Sequence, residues 1–97
     1  MAQELTALVK RKLDITWSDE TTDARVSDII AVAVPTMRHK LGVPRDYTFE
    51  EAGQEQALFL SYCLYEWNHA AADFDANYIN DILQVRQKWQ VSSDADS

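Results

Sequence analysis

The chain has 97 residues, 46% of them hydrophobic and 26% charged, which is the composition of one globular domain. Two glycines, two prolines and the lack of alternating β-branched runs argue against sandwiches and barrels and in favour of helices. The net charge of −7 lies entirely in the second half: residues 1–49 carry seven Lys/Arg against seven Asp/Glu, and residues 50–97 carry two against nine. Such a surface repels phosphate backbones, which speaks against a general nucleic-acid binder.

Cys63 is the single cysteine, so no intrachain disulfide is possible. The first residues lack a basic leader and a long apolar stretch, and the greasiest segment, 57–72, is interrupted by Glu66, Asn68 and His69. A soluble protein made inside the cell is the expectation. Ten aromatics are generous for a domain of this size, which buries only roughly 60–65% of its unfolded surface. Either some of them complete an interface with a neighbour, or the core is unusually aromatic.

The predicted fold class is all-α, a small bundle of about four helices forming one domain over 1–91, with a disordered acidic tail over 92–97. Leu5, Leu8, Val9 and Leu13 recur at helical spacing and predict a first helix over about 3–13, with Lys10, Arg11 and Lys12 complementing the dipole at its end. After the extended link Ile15-Thr16-Trp17, residues Ser18, Asp19, Thr21 and Thr22 offer N-caps for a second helix over about 20–41. Its apolar stripe is Val26, Ile29, Ile30, Ala33, Val34, Met37 and Leu41, and Gly42-Val43-Pro44 stops it. Pro35 removes a backbone hydrogen bond inside this pattern, so a kink or a break is expected there, directed away from the stripe.

Thr48-Phe49-Glu50-Glu51 matches a capping box, which predicts a third helix over about 49–70 despite Gly53 in its first turns. From Ala57 onward it is apolar nearly all round, through Leu58, Phe59, Leu60, Tyr62, Cys63, Leu64, Tyr65 and Trp67. A helix with no wet face is either the centre of a bundle or is shared with another subunit, and the small domain favours the second. Asp73-Phe74-Asp75 breaks the run. A fourth helix over about 75–90 carries Tyr78, Ile79, Ile82, Leu83, Arg86 and Trp89 on one side.

No catalytic, metal or cofactor constellation stands out. Asp73-x-Asp75-x-Asn77 opens like a calcium loop, but Tyr78 stands where the sharp turn needs Gly and Gln84 where a bidentate Glu is needed. Glu66-x-x-His69 has the spacing of di-iron bundles, which need two such pairs and two further Glu. Cys63 has no basic neighbour to activate it, and His39 sits between Arg38 and Lys40 at a helix end. The chain is therefore read as not an enzyme.

Ile15-Thr16-Trp17-x-Asp19-x-x-Thr22-Asp23, the Ile29-Ile30 stripe and the closing Leu41-Gly42 resemble the front half of the small head–tail connector (adaptor or neck) proteins of long-tailed bacteriophages and prophages. The back half is similar too: Asp46-x-x-Phe49, Leu60-x-Tyr62-Cys63-x-Tyr65-x-x-Asn68, and Phe74-x-x-Asn77-Tyr78-x-x-x-Ile82. The resemblance spans roughly residues 5–90 and rests on both halves occurring in order. It implies a helical structural subunit that forms a ring, commonly of about twelve copies, under the portal protein. The ring extends the DNA channel without binding DNA specifically and offers a docking surface to tail-completion or neck proteins. The implied location is the virion neck, and the host cytoplasm before assembly. Pro35 departs from the family's unbroken second helix. Glu50, Glu51 and Glu55, on the open face of the third helix, are candidates to face the channel. The competing readings are a small helix-turn-helix DNA-binding regulator, disfavoured by the long connection 42–48, a metal-dependent or thiol enzyme in a helical bundle, disfavoured by the ligand counts, and an unassigned helical adaptor.

Overall fold

The computed structural model describes the backbone of residues 2–17 and 19–96 and the side chains of residues 5–17 and 19–90. The described residues form helices and loops only: α1 (Ala2–Lys12), α2 (Glu20–Leu41), α3 (Gln54–Trp67), a 3₁₀ turn over Ala71–Asp73 and α4 (Phe74–Asp96). The side chains of the tail expected over 92–97 lie outside the described residues.

Helix α2 begins where the sequence offers its caps. Asp19 is extended at φ −156° and ψ 134°, and its carboxylate accepts from the Thr22 backbone N–H at 3.2 Å and from Thr22 Oγ1 at 3.1 Å. Trp17 Nε1 donates to Thr22 Oγ1 at 3.3 Å, which lays the indole across the cap. The Trp17-x-Asp19-x-x-Thr22 pattern is thus a capping unit. Val26, Ile29, Ala33, Met37 and Leu41 are buried, as the stripe predicts, with Ile30 and Val34 at its edge. The break expected at Pro35 does not occur, and α2 runs through it as one helix. Pro35 and Ala31 are both exposed, so water can satisfy the carbonyl that the proline leaves without a partner.

Three helices end in the same way. Ile15 N–H reaches Lys10 O at 2.9 Å, Val43 N–H reaches Arg38 O at 3.2 Å, and Ala70 N–H reaches Tyr65 O at 2.7 Å. Each is the long bond of a Schellman motif, with a left-handed residue just before the donor: Asp14, Gly42 and His69, at φ 60°, 69° and 58°. The apolar Ile15 and Val43 that follow the first two are buried.

The start predicted for the third helix is wrong. Helix α3 begins at Gln54 with Gly53 as its cap, and Thr48 is an exposed loop residue. The reason is Phe49. At 100° per residue, extending α3 backward would aim Phe49 roughly 120° from the buried face of Glu55, Leu58, Phe59 and Tyr62. Instead the chain reverses over 49–53, with Phe49 left-handed at φ 61° and Gly53 at φ 159°. The Phe49 ring then stacks on Phe59 at 4.8 Å, fully buried. Burying a Phe side chain contributes about 2–3 kcal/mol, more than the ~1–2 kcal/mol that a left-handed L-residue costs. Burial wins.

Helix α3 touches α1, α2 and α4 and is the centre of the bundle, so the expectation that one of its faces awaits another subunit is corrected. The aromatics also turn inward: nine of the ten belong to the core or pack against it, and Trp17 is the exception. One aromatic chain runs Trp89–Tyr47–Phe49–Phe59, and a second joins Tyr62 and Tyr65 of α3 to Phe74 and Tyr78.

Helix α4 differs from its predicted stripe. Tyr78 leaves helical geometry at φ −120° and ψ 16°, stacked at 4.8 Å on the buried Phe74. Beyond that kink the inner residues are Ile82, Val85 and Trp89. Ile79 and Leu83, expected on the inner side, are 46% and 54% exposed.

Candidate functional site

The residues singled out from the sequence take structural partners. Asp75 receives Lys40 Nζ at 2.8 Å and ties α4 to α2, while Asn77 donates to Tyr65 Oη at 2.9 Å. The calcium-like triplet is therefore split between two jobs. Glu66 accepts from Tyr62 Oη at 2.9 Å, and His69 Nε2 lies 3.2 Å from Arg25 Nη2. That guanidinium also stacks 4.2 Å from the Trp67 ring centroid and donates to the Trp67 carbonyl, so Arg25 fixes the end of α3 to α2 beside His69, while Glu66 is tied within α3. No group of three or more metal-ligating side chains occurs among the described residues.

Burial, and then the nearby Glu66 charge, pushes the Cys63 thiol up to about 12. It is a packed apolar side chain. Burial, followed by its hydrogen bond to Glu66, pushes the Tyr62 hydroxyl to about 12 as well. Of the basic trio, Lys10 pairs with Asp23 and clips α1 to α2, while Arg11 and Lys12 are exposed.

Glu55 is not on an open face. It is 7% exposed, accepts from Trp89 Nε1 at 2.9 Å and pairs with Lys88. Burial works against its charge, but hydrogen bonds from Lys88, Trp89 and its own backbone N–H outweigh that and hold its pKa below the ordinary range. Glu50 and Glu51 lie in the loop before α3, with Glu51 exposed.

Among the described residues, two surfaces stand out on the closed bundle. The first is the apolar pair Ile79 and Leu83, one turn apart on α4 beyond the Tyr78 kink. The second is a groove of about 500 Å³ at the end of α2, lined by Pro35, Gly42 and Val43 and by the cationic or imidazole side chains of Arg38, Arg45 and His39. Arg38 is anchored on one wall by its Nε–H, which donates to the Tyr47 carbonyl at 2.7 Å. Arg45 is exposed and has no ion pair among the described residues. Sequence reading missed both surfaces. The α4 pair was assigned to the stripe that in the structure runs through Phe74, Tyr78, Ile82, Val85 and Trp89, and the groove draws on residues from a helix end and the loop behind it. Val32 on α2 and Trp17 are also exposed, each 52%.

No helix among the described residues is long and apolar enough to cross a membrane. No family model, curated protein or solved structure matches the chain.

Proposed function

We propose that the chain is a non-enzymatic structural subunit of a phage or prophage head–tail connector ring. Its partners in this reading are further copies of itself, the portal protein above and a tail-completion or neck protein below. DNA passes through without specific binding, and the site of action is the virion neck. The resemblance spread over residues 5–90 motivates the reading.

The observation that carries it is the pair of unlike surfaces left over by the closed bundle, Ile79 with Leu83 on α4 and the basic groove at the end of α2. Copies related by a rotation meet head-to-tail, so each copy needs two different patches. A self-contained monomer needs neither. The DNA-regulator alternative would place α3 in a groove of DNA, yet α3 packs against all three other helices. With Glu55 buried against Trp89, Glu51 is the exposed member of the three candidate channel acids Glu50, Glu51 and Glu55.

The test is co-sedimentation with the portal of the phage or prophage that encodes the chain. Stoichiometric binding of a ring of about twelve copies is expected. A chain that neither binds the portal nor forms rings on it refutes the reading.

A further inference from the structure

The basic groove has a shape and chemistry that the bundle itself does not use. At about 500 Å³ it has the size of a ligand pocket, with room for a few side chains but not for a folded partner. It is lined by Arg38, His39 and Arg45 together with Pro35, Gly42 and Val43, so it suits a segment that offers carboxylates among small or apolar residues. A simple inorganic anion would meet the cations and leave Pro35 and Val43 uncovered. Nucleic acid would be opposed by the −7 charge of residues 50–97.

We propose that this groove receives the acidic segment 91–97 of a second copy of the chain. That segment reads Val91-Ser92-Ser93-Asp94-Ala95-Asp96-Ser97, two carboxylates among small residues with one valine. Charge complementarity selects it, because two arginines and a histidine line this single depression. A second copy, not the same one, is the donor. Arg86 Nη1 donates to the His39 and Lys40 carbonyls at 3.1 and 2.9 Å, which fixes where α4 passes the end of α2. From there the backbone of α4 continues to Asp96, about 15 Å of further helix beyond this contact. The inference rests on the ring-subunit reading and names one of its contacts.

The experiment is sedimentation velocity on the full chain up to millimolar concentration, comparing wild type with Arg45→Glu and with Asp94→Lys/Asp96→Lys. Arg45 is exposed and has no ion pair among the described residues, and circular dichroism checks that each variant stays folded. Each variant alone is expected to self-associate at least about tenfold more weakly than wild type. An equimolar mixture of the two is expected to recover association close to the wild-type affinity, because the sound groove of one variant meets the sound tail of the other. Recovery in the mixture also separates a contact between copies from one within a copy.

Self-association by Arg45→Glu as tight as wild type overturns the inference, and so does a mixture no tighter than its components. Either result leaves portal co-sedimentation to judge the ring reading separately. A wild-type chain that remains monomeric at millimolar concentration also overturns the groove contact.

Discussion

Trp89 Nε1 donates to Glu55 Oε2 at 2.9 Å, joining the later part of α4 to the first turn of α3. Gly53 caps α3 without a side-chain hydrogen bond, so the Glu55 carboxylate is the negative group at that helix start. Glu55→Ala leaves the indole N–H without its acceptor and is expected to lower stability by about 1–3 kcal/mol in urea melts. Glu55→Gln should cost less.

The same carboxylate sets a pH dependence. The folded pKa of Glu55 is depressed below its ordinary 4.5. A depressed carboxylate contributes stability above the unfolded pKa and loses it as pH falls through the folded one. Urea midpoints measured from pH 6 downward should therefore fall below about pH 4.5 in the wild type and fall less in Glu55→Gln. Parallel curves would show that Glu55 carries no such linkage.

Gly42 and Asp14 occupy equivalent left-handed positions at the ends of α2 and α1. A Cβ on Gly42 would meet Arg86 Cγ at 3.8 Å, an ordinary contact, so the cost of Gly42→Ala is backbone strain alone, about 1 kcal/mol. Asp14→Gly should move the other way by a few tenths to about 0.5 kcal/mol, offset in part by added freedom in the unfolded chain. Thermal melts of the two variants check the opposite signs.

The buried Cys63 thiol, raised to about 12, should not react with alkylating reagents at neutral pH while the bundle is folded. Labelling followed through a urea titration should track global unfolding. Rapid labelling in buffer would show that α3 opens locally.

Helix periodicity made the four helices and most of α2 legible, because its buried residues repeat at threes and fours from a side-chain cap to a glycine stop. The start of α3 was not legible. A capping-box pattern at Thr48 competed with the packing of Phe49 on Phe59, and a ring contact ten residues along the chain outweighs a local motif. Asp14 and His69 end helices as Gly42 does, but residue type alone does not advertise a left-handed Asp or His. The fate of Glu55 was hidden because it depends on Trp89, 34 residues away. The outward turn of Ile79 and Leu83 follows from the buried face, where Phe74, Tyr78, Ile82, Val85 and Trp89 recur at steps of four and three, a stripe whose Val85 was passed over in favour of the larger apolar residues.

That outward pair bears most directly on the central claim that the bundle is built to join copies of itself. Ile79→Ser with Leu83→Ser removes exposed apolar surface, so the fold should change in stability by no more than about 0.5 kcal/mol per site. Electron microscopy of the concentrated full chain, wild type against this double variant, is the deciding measurement. Closed rings of one rotational symmetry in the wild type, lost in an equally stable variant, are what this account predicts. Isolated bundles in both samples, alone and on the portal, would contradict it.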